Sequence, residues 1–317
     1  MTTLSAERSG ITGSVVRSVT VIFLLLALSV CTWGQSIHPL SSESTVTIAS
    51  FNLRVFGVAK ASKPAVMTIL AQIIDRYDLV AVQEIRDKSG TAIQKLLTMV
   101  DAENSNYRLI LGERLGRTSS KEQYAYFYNS SKLELEGSPY TYDDDNDGST
   151  VNKVDDTGLN DLFEREPYLA HFKTTQGAFD FVIADLHTKP SDATKEISYL
   201  PMVMTDAAKH YGEKDVLVVG DFNADGSYFK ESTYQSDFPA GNFIWLIGNS
   251  VDTNVARSDR TYDRMVGSES MAEDFEGLSG TLRFDQMFDL RAMGLKALDI
   301  SDHYPVWAEF YVDNDTD

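Results

Sequence analysis

Four apolar runs, each ending in a polar group, constrain this chain more than any other feature. Val46 to Phe51 leads to Asn52, and Leu79 to Gln83 leads to Glu84. Phe181 to Leu186 leads to His187, and Val216 to Gly220 leads to Asp221-Phe222-Asn223. A fifth motif of related form, Ser301-Asp302-His303-Tyr304-Pro305, directly precedes the alternating run Trp307 to Tyr311. Continuous apolar runs of this length read as strands buried on both faces. A polar group at the end of such a strand sits at the rim of a sheet, where a site forms without burying an unpaired charge. Each motif taken alone is also compatible with a surface turn; five in one chain point to a site gathered at one sheet edge.

Between these runs lie helical patterns. Pro64 opens one, with Val66, Ile69, Leu70, Ile73 and Ile74 on its inner stripe. A second is expected over roughly Gly90 to Val100. A third, after Pro190-Ser191-Asp192, contains Pro201, which should kink or split it. Strands and helices alternate, and no Pro/Gly/Ser-rich linker divides the 317 residues, so one large domain is expected over residues 46–312.

The N-terminus is of a different kind. Arg8 and Arg17 precede the apolar run Val19 to Val30, and small residues surround Trp33-Gly34. That is the layout of a secretory signal peptide over residues 1–34. The run is shorter than the ~20 residues a membrane span needs. Residues 35–45 read as a flexible segment and 313–317 as a disordered tail. Asn129-Ser130-Ser131 and Asn314-Asp315-Thr316 fit the N-glycosylation pattern. The sole cysteine, Cys31, lies in the leader, leaving no disulfide for a mature domain. The net charge of −19 argues against broad binding to nucleic acid by phosphate neutralisation alone and against coating of anionic membranes. Divalent cations and a few placed arginines can supply positive charge locally instead.

The motifs together resemble the deoxyribonuclease I family of the endonuclease/exonuclease/phosphatase superfamily. The carriers are Phe51-Asn52-Leu53-Arg54, Gln83-Glu84-Ile85-Arg86-Asp87, Leu115-Gly116-Arg117, Arg165-Glu166-Pro167, Gly220 to Asp225 with Ser227-Tyr228, Tyr262-Asp263-Arg264 and Ser301-Asp302-His303. The resemblance covers Val46 to Tyr311. It implies an α/β fold: a four-layered sandwich of two packed mixed sheets flanked by helices. It also implies a secreted, monomeric endonuclease that hydrolyses double-stranded DNA to 5′-phosphate products with low sequence specificity, with actin as a conceivable partner.

Hydrolysis of a phosphodiester requires an activated water, stabilisation of charge on phosphorus oxygens and protonation of the leaving alkoxide. By the resemblance, His187 and His303 supply the proton chemistry, His303 as base and His187 as acid. Asp263 is expected behind His187 and Glu122 behind His303. Asp221 and Asn223 are expected at the scissile phosphate. Glu84, Asn52 and Asp302 form an oxygen-rich set suited to magnesium or manganese. Arg54, Arg86 and Arg165 are the expected DNA contacts.

The acidic stretch 143–166 begins like a calcium loop, but Val154 stands where the closing Glu belongs. The resemblance implies a structural calcium held by Asp144, Asp161, Phe163 (through its carbonyl) and Glu166. A second calcium site would fall at Asp252 to Ser258, with Asn254 and Ala256 replacing threonines. The chain also departs from the family pattern in carrying Gly226 and Arg260 at cysteine positions, and Ser120 where a sugar-stacking tyrosine is expected.

Two other readings compete. A sphingomyelinase or inositol-phosphate phosphatase of the same superfamily would share Glu84, Asp221, Asn223 and the Asp302-His303 pair. It would not be expected to carry Arg86, Arg165-Glu166-Pro167 and Tyr262-Asp263-Arg264. A non-catalytic, actin-binding protein on the same scaffold would be expected to have lost a catalytic position, and none is lost.

Overall fold

The structure, a computed structural model, describes residues 45–103, 106–117, 121–144, 162–229, 238–239 and 241–315. The expected signal peptide, Ser120, Asp161 and most of the acidic run lie outside them. Strand β1 spans Thr45–Phe56, β2 Leu79–Ile85, β3 Tyr107–Leu111, β4 Gln123–Asn129, β5 Leu133–Thr141 and β6 Tyr168–Thr174. The remaining strands are β7 Asp180–His187, β8 Val216–Asp221, β9 Phe243–Trp245, β10 Asp263–Ser268, β11 Phe275–Thr281 and β12 Val306–Tyr311. They form two six-stranded sheets, ordered β11-β12-β1-β2-β4-β3 and β5-β6-β7-β8-β10-β9. Among the described residues, the pairs β1–β2 and β7–β8 run parallel and the other strand pairings are antiparallel.

Three buried apolar clusters make the layering explicit. One, with Ile48, Ala81, Tyr126, Phe172, Ile183 and Val219, lies between the two sheets. The second packs the outer face of the first sheet against helices α2 (Pro64–Ile74) and α3 (Thr91–Glu103), which follow the one-turn α1 (Val58–Ala61). The third packs the second sheet against α4 (Ala193–Ser198) and α5 (Leu200–Tyr211). Three such interfaces require four layers, and this is the expected sandwich. Pro201 does split its helix: it stands in the first turn of α5, where its missing N–H is no loss.

The central strands place the polar ends together. Asn52 and Gln83 pair across β1 and β2, and His187 pairs with Asp221 across β7 and β8. Asp263, at the start of antiparallel β10, is the other neighbour of Asp221. Gly220 is obligatory at this junction. Its φ is +139°, and a Cβ there would lie 1.8 Å from the Leu186 carbonyl oxygen on β7.

One feature departs from the expectation. Strand β1 does not end at Asn52 but continues to Phe56 through a bulge that places four of its residues against two of β2. Arg54 and Val55, inside the bulge, have φ of 45° and 50°. Glu84 (61°) and Asn223 (48°) are the other non-glycine residues with positive φ among the described residues. Such conformations cost about 1–3 kcal/mol each and persist only where surroundings over-determine them. Arg54, Glu84 and Asn223 lie in the polar strand-end motifs, and Val55 directly follows one.

Candidate active site

Asp221 is the hub. It is 2 % exposed, and its Oδ2 lies 3.4 Å from Nε2 of both His187 and His303. The same oxygen accepts a hydrogen bond from Asn52 Nδ2 at 3.0 Å, while Oδ1 accepts the Asn223 N–H at 3.0 Å. Burial alone would raise the Asp221 carboxyl. The positive field of His303 and His187, with the N–H donors of Asn223 and Asn52, outweighs burial and holds it below the usual range.

Each imidazole has its own carboxylate. Glu122 Oε2 accepts from His187 Nδ1 at 2.8 Å, and Asp263 Oδ2 accepts from His303 Nδ1 at 2.8 Å. This reverses the expected pairing of Asp263 with His187 and Glu122 with His303. Sheet order supplies the reason. Asp263 begins β10, beside β8, and the bridge between Asn254 and His303 brings the Asp302 loop to that side. Glu122 immediately precedes β4, whose Tyr124 hydroxyl accepts the His187 backbone N–H at 2.8 Å across the inter-sheet space.

The two carboxylates differ in company. Glu122 Oε1 also takes Arg86 Nη2 at 2.8 Å and lies 3.6 Å from Arg165 Nη1. Burial would raise the Glu122 carboxyl, but the His187 hydrogen bond and the charges of His187, Arg165 and Arg86 bring it down to about 2. Asp263 has no such arginines: burial and Asp221 push its carboxyl up against the pull of His303. Burial disfavours charge on His303 too, yet Asp263, Asp221 and Asp302 together hold its imidazole well above the ordinary value.

A lowered carboxyl stabilises the fold where it is ionised. Glu122, with an ordinary value of 4.5, contributes stability fully present above that pH and lost as pH falls towards about 2. The difference corresponds to about 3 kcal/mol. Glu122→Gln is therefore expected to lose less stability than the parent when urea midpoints are compared between about pH 5 and pH 3. Parallel losses would show that this charge does not stabilise the fold.

Glu84 lies on the other side of Asn52. Its Oε1 accepts Asn52 Nδ2 at 3.2 Å, and its Oε2 accepts the Val55 N–H at 2.7 Å and lies 3.3 Å from Arg86 Nη2. The β1 bulge is what aims the Val55 N–H at this carboxylate. Asn52, expected as a metal ligand, turns its amide nitrogen to Glu84 and Asp221; its oxygen accepts the Arg54 N–H at 2.8 Å. In this arrangement its amide holds the Glu84 and Asp221 carboxylates beside each other. Asp302 Oδ1 is buried without a hydrogen-bond partner, 4.0 Å from His303 Nε2, while Oδ2 lies 3.4 Å from Arg54 Nε. Glu84 and Asp302 thus fit a hard divalent cation that keeps most of its water, as magnesium does.

Of the expected DNA contacts, Arg54 and Arg86 remain about one-third exposed. Arg165 does not: it is 6 % exposed, and its Nε and Nη2 donate to the His187 carbonyl at 3.0 and 2.8 Å. These bonds fix the guanidinium to the end of β7. Of the expected calcium ligands, Asp161 lies outside the described residues, and the Phe163 carbonyl accepts Arg117 Nε at 3.0 Å. Asp144 Oδ2 caps the Leu162 and Phe163 N–H groups, and Glu166 is buried. At the second calcium position, Asp252 Oδ1 accepts the Asn254 and Arg260 N–H groups, and Arg283 lies 3.5 Å from Oδ2. Arg260 bonds Asp225 and lies against Gly226.

Lys60 gave no signal in the sequence. Its ammonium donates to the carbonyls of Leu53, Arg54 and Ile300, tying the β1 bulge to the loop that carries Asp302. Burial, then Arg54, lowers its pKa to about 8. Ser301 completes the tie by donating to the Asn52 carbonyl at 2.7 Å and accepting the His303 N–H at 3.1 Å.

Comparison with known proteins agrees with this geometry. The sequence profile of the Endonuclease/Exonuclease/phosphatase family matches residues 49–303. Deoxyribonuclease-1 of Rattus norvegicus is 35% identical over 274 residues, covering 85% of this chain and 93% of the relative. Deoxyribonuclease gamma of the same organism is 34% identical over 271 residues, covering 83% of each. Among solved structures, an endonuclease/exonuclease/phosphatase family protein from Bacteroides thetaiotaomicron superposes with a TM-score of 0.57 at 17% identity, covering 85% of this chain and 98% of the other. That last likeness is one of fold. With the identity and the coverage both high along nearly the whole described domain, the chain belongs to the deoxyribonuclease I family of endonuclease/exonuclease/phosphatase enzymes.

Proposed function

We propose that the protein is a secreted, monomeric, divalent-metal-dependent endonuclease that hydrolyses double-stranded DNA to 5′-phosphate ends with little sequence preference. The supporting observation is the pair of imidazoles, each backed at Nδ1 by a buried carboxylate, whose Nε2 atoms face one oxygen of Asp221. The relatives named deoxyribonuclease supply the substrate class. Arg54 and Arg86 border the site and suit contacts to the sugar-phosphate backbone, which position a duplex without reading its bases.

The division of labour follows from the electrostatics. His303, facing Asp263, Asp221 and Asp302, enters as the imidazolium. It protonates the leaving 3′-oxygen as the P–O3′ bond breaks. His187, whose Glu122 partner is shared with two arginines, takes the proton from the attacking water as the new P–O bond forms. This inverts the expected order, in which His303 was the base. Asp221 and Asn52 hold the two rings and Glu84 in one register. Glu84 and Asp302 would hold magnesium, which when bound would supply neutralisation of charge on the phosphate oxygens.

The test is plasmid nicking by the purified protein with magnesium plus calcium, and with EDTA. Nicking that EDTA abolishes is expected. A folded protein that leaves plasmid intact but cleaves sphingomyelin or small phosphate esters would move the assignment to another branch of the superfamily.

A further inference from the structure

At the end of β7 remote from His187, three side chains from three elements converge. His171 of β6, Asp180 at the start of β7 and Glu213, just beyond α5, place their ligand atoms within 4.8 Å of one another. His171 Nε2 lies 2.7 Å from Asp180 Oδ2. Register accounts for this: His171 pairs with Val182, and Asp180, two residues earlier on β7, shares that face. Glu213 arrives because Gly212, with φ of 80°, turns the chain out of the helix in the left-handed conformation. Its Oε1 accepts the Asp215 N–H at 2.7 Å, which fixes the carboxylate's direction, and the residue is only 9% exposed. The Tyr211 ring lies 5.2 Å from the imidazole and covers one side of it.

We propose that His171, Asp180 and Glu213 form a transition-metal site, separate from the active site, that takes zinc or an ion of similar character. One imidazole and two carboxylates make a mixed nitrogen-oxygen set, which favours zinc over calcium or magnesium. Three protein ligands leave a fourth tetrahedral position for water. The C-terminal end of the twelve-residue α5 adds its negative dipole end beside the site, a favourable place for a cation. Tetrahedral zinc bonds of about 2.0–2.2 Å set ligand atoms roughly 3.3–3.5 Å apart, so zinc would displace the His171–Asp180 hydrogen bond, pushing those two atoms apart by less than about 1 Å with loss of the shared proton. The site lies seven residues along β7 from His187, about 23 Å at strand spacing. Zinc there clips the end of α5 to β6 and β7 and acts on stability, not on the chemical step.

The test uses the full chain, stripped of metal and titrated with zinc chloride by calorimetry and by thermal melting. The parent is expected to bind zinc at this site and to gain about 4 °C or more in Tm at saturation. His171→Ala is expected to lose that equivalent by at least about tenfold in affinity, as loss of a ligand should, and to lose the Tm gain. His303→Ala, which marks any zinc taken up by the active site, is expected to retain both. Glu213→Gln provides an independent ligand deletion should His171→Ala fail to fold. Equal zinc binding and equal Tm gain in the parent and in both ligand variants would overturn the proposal. So would loss of all zinc binding in His303→Ala.

Discussion

His303→Ala is expected to lower DNA nicking by about 10²–10⁴-fold, the usual share of a positioned acid or base. The side chain touches Asp263 and Asp221 and sits where proton transfer and phosphate charge meet. The fold is expected to survive the change. The Asp263 carboxyl is already raised by burial and by Asp221, so it takes up a proton once its cation is gone instead of remaining as a buried charge. Because His303 acts in its protonated form, the alkaline limb of the kcat/KM–pH profile is expected to disappear with it. An unchanged profile would assign that limb to another group. The pairing is tested separately by imidazole nitrogen resonances: Glu122→Gln should shift those of His187 and leave those of His303 nearly in place. The opposite pattern would restore the pairing first expected from the sequence.

The second large effect is at Glu84. Glu84→Gln keeps the side-chain length and one acceptor oxygen, so one of the Asn52 and Val55 contacts can persist while the other donor meets an amide NH2. What it removes is the charge that would hold magnesium. Metal stabilisation of transition-state charge is worth several kcal/mol, so a loss of about 10²–10³-fold in kcat is expected, with the magnesium midpoint displaced upward. A purely positional role would lower the rate while leaving the magnesium midpoint where it was. Removal of the metal by EDTA is expected to take the parent enzyme below even this variant.

Much of the architecture was legible because it rests on local patterns. The runs before Asn52, Glu84, His187 and Asp221 are buried strands, and their apolar continuity announces that each lies between two covered faces. Pro64 marks a helix start and Pro201 a split for a reason contained in one residue, the missing N–H. The polar side chains at the strand ends could be named in advance because a sheet edge is the one place where such runs and such groups are compatible.

What the chain's order did not contain is which carboxylate stands behind which imidazole. Glu122 is separated from His187 by 65 residues and Asp263 from His303 by 40, and no periodicity connects them. Only the neighbour relations of the assembled sheets, β10 beside β8 and β4 facing β7, decide the pairing. The same holds for the β1 bulge, since alternation of side chains is silent about the sign of φ, and for Lys60, a lysine whose importance lies in three carbonyls brought to it by folding. Arg165 makes the point from the other side: its motif singled it out, but only the fold shows that its guanidinium donates to the carbonyl at the end of β7. The sequence by itself determined the strands, the helices and the identities of the polar residues at one edge, because those depend on near neighbours. The tertiary structure alone decided their partners, protonation and strain, because those depend on groups that meet only when two sheets close on each other.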